Sequence, residues 1–260
     1  MNKFNKELAP ITSKAWEAIS NEAKNALSLK LSGRKVADFT GPLGWEKSSV
    51  ETGEVKDLAK EAEVSVKQRQ VLPLIELSVP FKVSRKDLEL IERGGVPALD
   101  TVIDAAHKIA KAEENIVYSG LTSAKIKGIL SDASLSVKLE SDEKYPETVA
   151  GAISKLNEKA ISGPFALVLG SKEFNHLMTA THKNGRPIVE HISKLVDNII
   201  KAPFLDGAFL LSKRGGDFEF VSGQDISIGY TSHDDKYVNL YLEESLTFKV
   251  TTPDAVVIFK

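Results

Sequence analysis

The chain has 260 residues, 42% of them apolar and 27% charged, with a formal net charge of −2. Length and apolar share predict one or two folded domains with a real core, and the near-balance of charge excludes the whole-molecule attraction to phosphate of nucleic-acid binders. Cysteine is absent, which excludes disulfides, thiolate nucleophiles and cysteine zinc sites and fits a reducing cytoplasm.

Thr12 or Ser13 is placed to cap a helix whose apolar positions Trp16, Ile19, Ala23, Ala26, Leu27 and Leu31 recur near every 3.6 residues, with Ser32-Gly33 ending it. Its moderate hydrophobicity predicts a helix lying on a larger body. Arg34-Lys35 with Asp38 follows. In isolation this cluster reads as a solvated surface; beside the apolar helix face it reads as the frame of a groove for an extended peptide. From Trp45 to Leu74 the regular apolar points are Val50, Val55, Val64 and Val66, too few for a core. That segment predicts a long hairpin or arm whose apolar partner lies on another chain.

Val71 to Val83 reads as a strand, and Pro73 and Pro80 place it at a sheet edge or bend. Ser84 and Asp87 form a capping pair for a short helix through Glu92, which Gly94-Gly95 stops. Leu99, Val102, Ile103, Ala106, Ile109, Ala110, Ile116 and Val117 then mark the longest helix, ending before Gly120. Next come a helix from Glu147 to Ala160, a strand from Phe165 to Leu169, and helices from Lys172 to His182 and from Ile188 to Ile199, alternating like an α/β subdomain. Ala208 to Lys260 is mostly strand, with Glu243-Glu244 expected as a bend or exposed interruption.

Nucleotide-binding loops and the G-x-S-x-G elbow are absent from the sequence. Glu173-x-x-His176 has the spacing of a di-iron bundle and Asp104-x-x-His107 approximates it, but such a site needs four core-facing helices and this chain spends much of its length on strands. Both pairs therefore read as polar helix-face residues, and no metal or catalytic residue is expected. No apolar run reaches the ~20 residues of a membrane span, and the N-terminal run has no signal-peptide pattern. Thr181 to Pro187 reads as a surface turn or as the lining of an opening in an assembly. Between Arg214 and Tyr230, glycine turns alternate with short apolar strands and carry no chemistry, which points to a surface that docks something.

Ala9-Pro10, the Trp16 helix, Gly33-Arg34-Lys35, Gly41-Pro42-Leu43-Gly44-Trp45-Glu46, Leu72-Pro73-Leu74-Ile75-Glu76-Leu77, Leu90-Ile91-Glu92-Arg93-Gly94, Gly163-Pro164 and the Arg214 run occur in an order and spacing that resembles the encapsulins, linocin-like bacterial proteins that assemble into hollow shells. The resemblance runs nearly end to end. It implies an α+β chain with the tailed-phage major-capsid fold of the HK-ninety-seven type. The peripheral domain would take residues 1–44, 75–134 and 224–260, the extended loop 45–74 and the axial domain 135–223. It also implies an icosahedral homo-oligomer and a cytoplasmic compartment for a cargo enzyme, a ferritin-like protein or a dye-decolourising peroxidase, with iron storage or oxidative-stress protection following.

In that family the cargo's C-terminal tail docks on the inner wall. The matching positions are Leu27, Leu31, Arg34, Asp38, Ile226 and Ile228. The axial loop surrounds the five-fold pore, which transfers to His182, Lys183, Asn184, Gly185 and Arg186. Some encapsulins bind flavin through a tryptophan, an arginine and a tyrosine where this chain has Lys86, Ser78 and Arg186, so no flavin is expected. The rival readings are a phage or prophage capsid subunit and a standalone hydrolase or ferroxidase.

Overall fold

The computed structural model describes residues 4–61, 63–139, 141 and 144–260. Parts of the N-terminal run (1–3), the extended loop (62) and the axial span (140, 142, 143) lie outside them. Helix α1, Ser13–Ser28, begins where the sequence places it, with Thr12 Oγ1 accepting the Ala15 N–H at 3.3 Å. It ends at Ser28, short of Ser32-Gly33, and Gly33–Val36 forms a separate turn of helix, α2. Ala15, Ile19, Ala23 and Ala26 are its buried face.

Strand β1, Asp38–Thr40, leads to β2, Ser49–Glu61, and β3, Val64–Pro73, which pair only with each other as a two-stranded sheet. This is the expected arm. Val55, Leu58, Val64, Val66 and Val71 are all exposed on it, so the hairpin lacks the apolar cover an isolated two-stranded sheet needs.

Val71 to Val83 is not one strand, because the chain breaks at Leu74 and restarts as β4, Ile75–Ser84. As Pro80 requires, β4 is an edge strand, paired on one side to β11, Tyr237–Val250. Helix α3, Arg85–Glu92, is capped by Ser84, which accepts the Asp87 N–H at 3.1 Å. Helix α4, Asp100–Ser119, is the spine. The opposite edge of β11 carries β10, Ser227–His233, and β9, Phe218–Ser222, end to end, with β1 parallel beyond β9. Helices α1, α3 and α4 cover this sheet. Ile19, Val102, Ile109, Val238 and Leu240 belong to their common core.

The second sheet runs β5 (Leu135–Val137), β12 (Val256–Phe259), β8 (Ala208–Ser212), β6 (Phe165–Leu169) and β7 (Asn198–Lys201). Its core includes residues of α5 (Tyr145–Glu158), α6 (Ser171–Thr179) and α7 (Ile188–Ile192). The helix expected from Ile188 to Ile199 is therefore only five residues long. Asp197 turns the chain by accepting the Phe165 N–H at 2.8 Å, and Ile199 and Ile200 join β6 in parallel, where β-branched residues fit. Although β12 falls within the span expected for the peripheral domain, it completes this second sheet between β5 and β8.

Glu243-Glu244 does not interrupt β11, which runs unbroken through both, and Glu244 is 1% exposed. A carboxylate can sit there only if something pairs with it or protonates it.

Candidate functional site: a buried carboxylate hub behind a shallow wall

Gly33 lets α2 lie directly on α4. A Cβ at this position would come within 2.9 Å of Val117 Cγ1 and 3.1 Å of Glu114 Oε1. The close approach delivers the N–H groups of Ser32 and Gly33 to Glu114 Oε1 at 2.8 and 2.7 Å, while Ser32 Oγ meets Glu114 Oε2 and lies 2.6 Å from the Tyr118 hydroxyl. Burial pushes the Glu114 carboxyl up to about 7, against the pull of these hydrogen bonds. Burial, reinforced by the Glu114 charge, also holds the Tyr118 phenol well above its ordinary value.

One residue on, Arg34 reaches into the protein. Its Nε and Nη2 donate to the two oxygens of Glu113 at 2.8 and 2.7 Å, Nη1 donates to Asp225 at 2.7 Å, and Nη2 also reaches Glu244 at 3.1 Å. The guanidinium lies over Phe220 and Phe39, at 5.1 and 5.5 Å from the ring centroids. Burial works against its charge, but Glu113, Glu244 and Asp225 outweigh that and hold its pKa above the ordinary value. Glu244 moves the other way from a normal carboxylate. Burial and the nearby Glu113 charge keep its proton on well above the usual range, despite Arg34, and its Oε1 is buried without a hydrogen-bond partner among the described residues.

Three of the six expected peptide-contact positions thus stand differently from their sequence reading. Arg34 is tied to three carboxylates. Asp38 does not share its cluster; its carboxylate accepts the Gly216 N–H at 2.6 Å and pins the Gly215-Gly216 turn. Ile228 is buried in the core shared by α1, α4 and β11. Leu27 and Ile226 are half-buried against that same core, Leu31 is half-buried, and Leu29 beside them is 74% exposed. Leu27 and Ile226 thus lie at the margin of one core, the one that also holds Ile228. The N-terminal run lies against β10 and α1: the Tyr230 N–H donates to the Phe4 carbonyl at 2.9 Å, and Lys6 Nζ lies 5.4 Å from the Trp16 ring centroid.

The hub residues Glu113, Glu114 and Glu244 escaped the sequence reading. The only signal was position: Glu113 and Glu114 fall on the apolar stripe of the spine between Ile109 and Ile116, and Glu244 in line with Val238, Leu240 and Leu242 on the buried face of β11.

The loop 182–186 closes on itself through the His182 N–H to the Arg186 carbonyl and the Gly185 N–H to the His182 carbonyl, both at 2.8 Å. Gly185 sits at φ 80°, where glycine is favoured. Lys183, Asn184, Gly185 and Arg186 are exposed and His182 half-exposed. Among the described residues no group of three or more metal-ligating side chains comes together, so the Asp104/His107 and Glu173/His176 pairs gather no further ligands. No helix of the described residues is long and apolar enough to cross a membrane.

Two interleaved sheets, a spine helix and a projecting hairpin define a capsid-type subunit. Solved structures agree on that fold: a virus-like particle from Pyrococcus furiosus matches with a TM-score of 0.68 at 20% identity, covering 94% of this chain and 98% of that one, and the Mycobacterium phage Ogopogo structure with a TM-score of 0.60 at 13% identity, covering 88% and 91%. The family model described as "Encapsulating protein for peroxidase" matches residues 1–247. The type 1 encapsulin shell protein of Rhodospirillum rubrum is 44% identical, with 99% of this chain and 96% of that protein aligned; that of Mycobacterium tuberculosis is 37% identical, with 98% of each aligned. This chain belongs to the type 1 encapsulin shell-protein family, and its role is structural rather than enzymatic.

Two outcomes follow from the hub. Arg34→Ala strands buried carboxylates and is expected to cost about 3–5 kcal/mol, read as a fall in yield of soluble subunit and in unfolding temperature; an unchanged unfolding temperature would contradict the geometry. Glu114 binds its proton more tightly folded than unfolded, so its own contribution to stability is fully present below pH 4.5, falls as pH rises and is lost, about 3 kcal/mol of it, once pH passes about 7. Glu114→Gln keeps the Oε1 acceptor and carries no charge. Its unfolding temperature should therefore fall less than that of the wild type between pH 5 and pH 8.

Proposed function

We propose that this chain assembles with copies of itself into a closed icosahedral shell in the cytoplasm, and that the shell encloses an enzyme held by a short C-terminal tail. The β2–β3 hairpin supports the assembly. Its five exposed apolar side chains have no cover within their own sheet, and a neighbouring subunit supplies one. The family model's description favours a peroxidase as cargo, with a ferritin-like iron oxidiser the other class, and oxidative-stress protection or iron storage would follow accordingly.

The tail docks on the shallow surface of Leu27, Leu31 and Ile226. Arg34 and Ile228 hold that surface from behind, and Asp38 fixes the turn at its margin. Few contacts make each dock weak, and an oligomeric cargo is retained by many docks at high local concentration. Loop 182–186 borders an opening in the shell, the exposed Lys183 and Arg186 giving it a basic rim. A phage capsid role, the alternative, has only fold likeness behind it, whereas the shell-protein relatives match at 37% and 44% identity; nuclease-resistant DNA in purified particles would favour it.

Val64→Asp with Val66→Asp should leave a folded, soluble subunit but raise the concentration needed for assembly about tenfold or more, measured by size-exclusion chromatography and electron microscopy. Shells forming as readily as wild type would refute the role of the arm. Leu27→Asp with Ile226→Asp should leave shells intact. It should lower their content of a fluorescent protein fused to the co-encoded enzyme's tail about tenfold, and full loading of that variant would reject the surface.

A further inference from the structure

Between the start of α5, the 182–186 loop and the turn after α7 lies a cavity of about 750 Å³, within the range of small-molecule sites. Lys144, Lys183, Arg186 and Lys194 line it, together with His182 and His191, whose ring centroids are 6.0 Å apart. Two carboxylates, Glu147 and Glu190, join them, so among the described residues permanent cations exceed anions by four to two. Converging cations in a concave site focus a positive potential that a multiply charged anion relieves.

The other ligand classes fit poorly. Among the described residues no aliphatic, phenylalanine, tyrosine or tryptophan side chain lines the cavity, so an apolar ligand would find little to pack on. A transition metal would find too few ligands, since no group of three or more forms among the described residues. Arg186 is set up differently. Its Nε donates to Glu190 at 3.3 Å, which orients the guanidinium from behind and leaves its two terminal nitrogens for a phosphate edge. Glu147 and Glu190 also discriminate, because a weakly charged anion gains too little from the cations to offset their repulsion.

We propose that this cavity is a binding site for a condensed inorganic phosphate of the pyrophosphate class, held by Arg186 and Lys194 with Lys144, Lys183 and the two imidazoles around it. The lining residues all come from one chain. The volume is roomy for a single orthophosphate and suits two or more linked phosphates, each able to reach a different cation.

Calorimetric titration of assembled wild-type shells at fixed ionic strength should give about one pyrophosphate per subunit, bound about tenfold or more tighter than orthophosphate. Arg186→Gln and Lys194→Gln should each weaken it about tenfold. A second measurement uses only wild-type shells: pyrophosphate should slow acetylation of Lys183 and Lys194 about threefold or more, by mass spectrometry, and leave Lys24 on α1 unaffected. Equal affinity for the two anions, variants that match wild type, or slowing shared by Lys24 would each overturn the proposal.

Discussion

The Arg34 hub is the interaction on which the subunit depends. One guanidinium meets carboxylates from the spine helix, from the lead into β10 and from the middle of β11. Glu113 and Glu244 are 0% and 1% exposed, and buried charges of this kind persist only while paired or protonated. Here both solutions are used together: Arg34 pairs with Glu113, and Glu244 keeps its proton. The same residues lie where the two cores meet. Phe220 and Phe248 belong to one core, Ile228 and Leu242 to the other, and β11 runs through both.

The second constraint is the arm. The subunit completes two sheets of its own and leaves a third with one layer and five exposed apolar side chains. Its core residues account for the stability of a single subunit, whereas the hairpin contributes only when another chain covers it. Folding and assembly are thereby separated in the sequence, since the helical and strand cores hold most of the apolar residues and the arm holds just enough to form a contact.

What could be read from the sequence was what local rules govern. The Thr12 and Ser84 caps, the edge position of β4 with Pro80, the spine and the hairpin follow from side chains within a few residues of each other, and the structure places them so. The hub could not be read this way, because its carboxylates lie 79 to 210 positions from Arg34 and a charged residue is ordinarily a surface residue. The same default turned Glu243-Glu244 into an expected break and Arg34 into an exposed groove charge. Ile188 to Ile199 failed for a different reason, since a short apolar run is compatible with helix or strand and β6 decides between them. Of the apolar positions expected to face a peptide, Leu27 and Ile226 are half-buried, while Ile228, two residues on, is buried within the core.

Stability alone does not account for the hub, because apolar side chains of similar volume would stabilise the same space as well or better. Its geometry accounts for registration instead. A fork that donates to Glu113 through two nitrogens, to Asp225 through a third and stacks on Phe220 accepts one relation of α2, α4, β9 and β11, whereas apolar contacts tolerate sliding. Gly33 sharpens the constraint by bringing α2 against Val117 and Glu114 without a side chain between them. In a closed shell a small angular error in one subunit recurs in every copy and accumulates around the particle. A charged hub that is unsatisfied in every other arrangement keeps that error small.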